Sequence, residues 1–274
     1  MGILALDVSR FGIVMSADSQ PVELLDGRNR VARTRLLSRN PILVRRGGGF
    51  AGLVAFVGRE RIAGKPTREW LHAFSAQHPD ESVMAFCTAL ADELSRQWRR
   101  QRLRSGLWVF VSGFEGSEVR FWYVSNVEGV NPSDGTYKKP GPTFTAVDDL
   151  DKNYLAPELN QGRTKAQSLR LRMYQFRNGV IRPTALIFDI FNEIMQRIYE
   201  QRIPGFTPIR SITDLAYYDR QRMEFAKRLH SPKHGMASKA SSPGIAGEVH
   251  VMAVAPRGVI RHYPKIRGQE RLVP

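Results

Sequence analysis

An apolar run from Ile3 to Val8 is followed, after only Ser9-Arg10, by a second apolar run from Phe11 to Ala17. Two such runs joined so closely predict a pair of antiparallel strands with a two-residue turn at Ser9-Arg10. On this reading the chain begins in a core strand, with no arm or leader before it. The second strand closes on Ala17-Asp18-Ser19, which sets a carboxylate at the end of a sheet.

The 274 residues suffice for a sizeable core, and the expected organisation is one domain over 1–274, with a helical and loop elaboration at 127–182. Hydrophobic residues make up 42% of the chain, as in soluble globular proteins. No apolar run approaches the roughly 20 residues that span a bilayer. Asp7 and Arg10 interrupt the first apolar stretch, which argues against a secretory signal, and Leu6 stands where a myristoylation motif needs Ser or Thr. The single cysteine, Cys87, excludes an internal disulfide; among Val83, Met84, Phe86 and Leu90 it reads as a helix core position, with a reactive thiol as the alternative. A cytoplasmic location follows from these absences. Lys and Arg number 41 against 26 Asp and Glu, a net charge of +15. That surplus suits an acidic protein or polyanion partner, or else an arginine-rich proteome, and no membrane partner is expected.

Further strands are predicted at Pro41 to Val44 and Phe50 to Val57, flanking an Arg45–Gly49 turn and closed by Gly58. No Lys-Ser/Thr follows the Gly47–Gly49 triplet, so a P-loop is excluded. A helix starts at Thr67; Asp80 is the expected N-cap of a second, with Val83, Phe86, Cys87, Leu90, Ala91, Leu94 and Trp98 on one face. Its basic end carries Arg96, Arg99, Arg100, Arg102 and Arg104, either a solvated helix terminus or a nucleic-acid stripe on which Trp98 stacks a base. Leu107 to Ser112 and Val119 to Val124 read as strands split by Gly113–Gly116, and a short strand is expected at Thr143 to Val147. Residues 148–164 read as irregular and polar. Helices are predicted over Lys165 to Phe176, Pro183 to Gln201 and Ile212 to Leu229, and His230 to Ser242 reads as polar and mobile. Glu248 to Val254 and Val259 to Tyr263 form a closing hairpin around Pro256-Arg257-Gly258. The fold class is α+β, antiparallel sheets with helices packed outside.

The opening strand pair, the Ala17-Asp18-Ser19 end, the helix pair after Gly58 and the segment Gly244 to Val254 with its Pro-Arg-Gly turn together resemble the proteasome β-type branch of the N-terminal-nucleophile (Ntn) hydrolases. The resemblance covers most of the chain and implies a four-layer αββα sandwich, two antiparallel sheets between helix layers. The missing N-terminal helical extension is β-like rather than α-like. The family's chemistry uses an N-terminal Thr, Ser or Cys, its own α-amino group as base, a Lys that lowers pKa values, an Asp that holds the Lys, and a backbone N–H as oxyanion donor. By position, Gly2 falls at the nucleophile, Asp18 at the acidic partner, Arg33 or Arg35 at the Lys, and Gly58 at the oxyanion glycine. Ser241 and Ser242 lie near the supporting Ser/Asp pair, but no Asp does. Gly2 has no side chain to attack with, and an arginine stays charged at all relevant pH values.

No cofactor and no metal is expected. The six histidines do not cluster, and Pro232 spoils a helical pair of His230 and His234. His72 and His78 read as surface residues, while His250 alternates with Val249 and Val251 and so faces solvent or a cavity. Asp148, Asp149 and Asp151 lack EF-hand spacing. The resulting expectation is a non-catalytic subunit that forms a homo-oligomer, as in a ring. The alternatives are an active Ntn-type peptidase or amidohydrolase with non-standard chemistry, and a basic nucleic-acid-binding protein.

Overall fold

The computed structural model describes residues 4–18, 24–25, 31–32, 42–129, 139–171, 173–178, 181–204, 208–229 and 248–263. Within them the chain runs β1 (Leu4–Ser9), β2 (Gly12–Asp18), the short β3 (Leu24–Leu25) and β4 (Val31–Ala32), β5 (Leu43–Gly47), β6 (Phe50–Gly58), the short β7 (Arg61–Ile62) and β8 (Lys65–Pro66), then α1 (Thr67–Gln77) and α2 (Val83–Gln101). It continues through β9 (Leu107–Glu115), β10 (Glu118–Ser125), β11 (Thr145–Asp148), α3 (Ala156–Asn160), α4 (Lys165–Leu171), β12 (Tyr174–Asn178), α5 (Ile181–Glu200), α6 (Ile212–Leu229), β13 (Val249–Ala255) and β14 (Val259–Tyr263).

Two five-stranded antiparallel sheets carry the fold, in the orders β12-β1-β2-β13-β14 and β11-β10-β9-β6-β5. Every residue of β1 and β2 is buried, which explains their near-continuous apolar sequence: both faces are covered. Alternate residues feed different cores. Leu6, Met15 and Met252 of the first sheet meet Leu53, Phe110 and Phe121 of the second in a core between the sheets. The opposite face of the second sheet, with Val54, Val109 and Val111, packs on Leu71, Phe86, Leu90 and Leu94 of α1 and α2. Ala5, Val14, Val251 and Ala253 of the first sheet pack on Phe188 of α5 and on Leu215 and Met223 of α6. Three cores separating four layers make this an αββα sandwich. Among the described residues, no helix is long and apolar enough to cross a membrane.

The opening hairpin forms, but its turn lies one residue further along than the sequence predicts. Ser9 pairs with Gly12, leaving Arg10-Phe11 as the loop. Ser9 is the reason: its Oγ accepts from the Phe11 N–H at 3.2 Å and donates to the Gly12 carbonyl at 3.3 Å. Gly12 has φ +132°, and a Cβ there would come within 2.4 Å of the Val254 carbonyl oxygen. The pairing moves by two residues, so each side chain keeps the face the pattern assigns it.

The predicted face of α2 is buried as read. Its N-cap is Ser82 rather than Asp80, with the Ala85 N–H donating to Ser82 Oγ at 3.2 Å. Arg45 and Arg46 belong to β5 rather than to a turn. Arg45 is buried, donates to the carbonyls of His78 (3.2 Å) and Glu81 (2.8 Å), and so ties the α1–α2 connection to the sheet. Gly113, Phe114 and Glu115 continue β9, because Gly113 pairs with Gly52 and the Phe50 ring fills the space a side chain would occupy at both.

Two corrections concern residues 148–178. The stretch read as irregular holds a π-type turn at Leu150–Tyr154 and α3, anchored by buried Leu150 and Leu155. The helix predicted over Lys165 to Phe176 stops at Leu171, and Tyr174–Asn178 pairs with β1 as an edge strand. Tyr174 and Phe176 alternate into the inter-sheet core, where the Phe176 ring lies 5.2 Å from Phe110 and 5.0 Å from Phe121. His230 to Ser242, including Ser241, lies outside the described residues.

Candidate functional site

Asp18 ends β2, pairs with Val249 and is only 5% exposed. Gly58 ends β6 opposite Leu107 at φ +116°, where a Cβ would come within 2.4 Å of the Gly106 carbonyl oxygen. The position therefore requires glycine on geometric grounds alone. Gly258, in the turn beside the start of β2, sits so near Ala51 that an added Cβ would come within 2.7 Å of the Ala51 methyl. The turn beside the start of β2 thus lies on the start of β6. Ala17 and Val57, one residue earlier on each strand, both enter the inter-sheet core. The remaining candidates, Gly2, Arg33 and Arg35, lie outside the described residues.

His250 stands beside the end of β2. It pairs with Ala17, adjacent to the Asp18–Val249 pair, and shares a face with Met252 and Val254, which enter the inter-sheet core. The ring is buried, its Nε2 has no hydrogen-bond partner among the described residues, and its centroid lies 6.4 Å from that of His262. Burial lowers the imidazole pKa; Glu248 opposes this, while His262 and Arg220 add to it. The neutral imidazole lies on the inter-sheet face, whereas Asp18, opposite Val249, faces the helix layer; there the imidazole can donate or accept one hydrogen bond or take up a proton. Alternation with Val249 and Val251 was the sequence signal for this orientation; the pairing with Ala17 was not legible there.

A second polar centre is closed off. Asp7 points from β1 toward the helix layer, where Arg222 of α6 bonds its Oδ2 at 2.8 Å and also bonds Asp219, with all three side chains fully buried. The guanidinium lies 4.6 Å over the Phe188 ring. Burial pushes the Asp7 carboxyl up to about 7; Arg222 opposes that rise and Asp219 adds to it. Burial by itself disfavours the Arg222 charge, but the two carboxylates outweigh it and hold the guanidinium above its ordinary value. The triad clamps α6 to β1. Sequence reading missed it, although Asp7 inside an apolar run and the Asp219/Arg222 spacing were its traces.

The other sequence candidates lose chemical reach in the structure. Lys165 reaches Asp151 at 2.6 Å and Glu118 at 3.6 Å, and Arg120 reaches Glu115 at 3.3 Å, so Asp151 of the acidic loop is engaged in an ion pair. Burial also raises the pKa of Asp148 and Asp149. Among the described residues no group of three His, Cys, Asp or Glu could hold a metal ion. Trp98 is 1% exposed and its Nε1–H donates to the Ser105 carbonyl at 2.9 Å, so it cannot stack on a base. Arg96 pairs with Glu93, and Arg102 forms the left-handed C-cap of α2. Cys87 is fully buried, and burial pushes its thiol pKa up.

No family model matches the sequence, and no curated protein does either. Among solved structures, the chain is similar to an Anbu (Gly-1) mutant from Hyphomicrobium sp. strain MC1, at 10% identity, covering 98% of this chain and 89% of that one with a TM-score of 0.49. It is also similar to Anbu (ancestral beta-subunit) from Yersinia bercovieri, at 11% identity, covering 92% and 80% of the two chains with a TM-score of 0.46.

Proposed function

We propose that this protein is a proteasome-β-type subunit that has lost the N-terminal nucleophile and works by assembly or binding rather than by hydrolysis. The observation that supports this reading is the αββα sandwich, in which Asp18 closes β2 and Gly58 closes β6, the two strand ends at which the sequence resembles the Ntn family. On this reading Gly2 stands where that family attacks its substrate. A glycine supplies the α-amino group but no hydroxyl or thiol, so no acyl-enzyme can form by the family's route. An arginine at 33 or 35 would hold Asp18 as a fixed ion pair and could not serve as a tunable base. The chain is taken as one domain over 1–274. The place of β12 at the edge of the first sheet supports counting the second half of the 127–182 region as part of that frame.

Two mass measurements test the proposal. Under native conditions the protein should fly as a multiple of 31.0 kDa, and denatured it should have lost Met1 alone. Incubation with a peptide-like electrophile should leave the mass unchanged. A covalent adduct on the chain, or a cut exposing Ser, Thr or Cys, would overturn the non-catalytic reading.

His250 favours a second reading, an active peptidase or amidohydrolase with non-standard chemistry. There the buried neutral imidazole, on the inter-sheet face, supplies the base. Hydrolysis of an amide substrate that disappears in His250→Gln, with the fold retained, would select it.

A further inference from the structure

A cavity of about 260 Å³ opens at the end of the sandwich opposite Asp18, beside the β1–β2 turn. Its walls are Leu169, Met173, Ile209 and Leu215, with the ring of Phe11 beside them. Ser9 also borders it, but its hydroxyl is committed to the Phe11 N–H and the Gly12 carbonyl. Among the described residues the interior thus offers mainly apolar surface. Two guanidiniums flank it: Arg10 from the turn and Arg170 from α4, both exposed. Arg10 lies 4.7 Å over the Phe11 ring, which aligns it with the apolar wall. Among the described residues neither arginine has an acidic partner. The neighbouring carboxylate, Asp214, is turned to its own helix end, accepting from the Arg210 N–H at 3.0 Å and the Ser211 hydroxyl at 2.9 Å.

The geometry points to a binding site for a monocarboxylate with an apolar tail, of the size of a medium-chain fatty acid. The tail fills the cavity and the carboxylate lies between Arg10 and Arg170. Each half of the site excludes an alternative. A phosphate or a short polar anion leaves the apolar walls in water, forfeiting the burial that makes a cavity bind. A neutral tail leaves both guanidiniums without the forked, charge-assisted hydrogen bonds that a carboxylate supplies. This inference is independent of the proposed function, since it concerns the other end of the molecule.

The test is calorimetric titration of the full chain with decanoate below its micellar concentration, against decanol and acetate. Decanoate is expected to bind one to one, at least about tenfold more tightly than decanol, and acetate to give no heat. The double variant Arg10→Gln/Arg170→Gln should weaken decanoate about tenfold and leave decanol unchanged. Both side chains are exposed, so the thermal transition should stay in place. A control double variant, Arg99→Gln/Arg100→Gln on α2, should bind as the parent does. Equal affinity for decanoate and decanol, equal loss in the control variant, or no binding of decanoate would each overturn the assignment.

Discussion

Asp7 occupies a strand buried on both faces, and two carboxylates there share one guanidinium. Removing the shared cation leaves Asp7 and Asp219 buried without compensation. Arg222→Met should therefore lower unfolding stability by about 3–5 kcal/mol; urea denaturation near neutral pH checks this, and a loss below about 1 kcal/mol would mean that the triad does not hold α6 in place. The pH dependence has a definite sign. The folded Asp7 carboxyl titrates at about 7, above its ordinary value of 3.8, so the folded state favours the proton. The stability Asp7 confers is full below about pH 4 and is lost as pH rises through about 7. Asp7→Asn cannot titrate and should be relatively more stable at pH 8 than at pH 5 when compared with the parent. Cys87 gives a simpler check: with its thiol enclosed and its pKa raised by burial, a thiol reagent at pH 8 should react only after denaturation. Rapid reaction of the folded protein would restore the reactive-thiol reading.

The start of α2 tests the element scale directly. Ser82→Ala should cost about 1 kcal/mol because Oγ accepts the Ala85 N–H, whereas Asp80→Ala should stay within about 0.5 kcal/mol. The reverse ranking in thermal melts would return the cap to Asp80. Element identity was legible where a strong period met a single environment: the α2 face and the closing hairpin needed only local pattern. Boundaries failed where a side chain reached across the pattern, as when Ser9 drew the first turn to Arg10-Phe11. The type of β12 failed because five residues, Tyr174–Asn178, carry too little pattern to oppose a helix running into them, and it is the pairing with β1 that decides. For the candidate site, Asp18 and Gly58 could be read as strand ends, but how those ends lie relative to each other depends on two sheets stacking. The Arg222–Asp7 bond spans 215 positions, and no local periodicity carries that information.

At the scale of the whole molecule, one face of α5 has no covering layer among the described residues. Leu186, Ile190 and Ile194 of α5 are 63%, 43% and 46% exposed and recur every four residues, which sets them in one row. The opposite side of the same helix is satisfied: Phe188 is fully buried, and Phe191 meets the Tyr218 ring at 5.4 Å. Among the described residues the row packs on no other layer and exposes apolar surface to water, which matches an interface between copies better than a solvated helix face. If the proposed assembly uses this row, Leu186→Glu/Ile190→Glu should convert a native multiple of 31.0 kDa to the single chain while its thermal transition remains. Unchanged assembly in that variant would move the interface elsewhere on the sandwich. A parent protein that is already a single chain in the native spectrum would remove the assembly role, and the apolar row would then need a different partner to cover it.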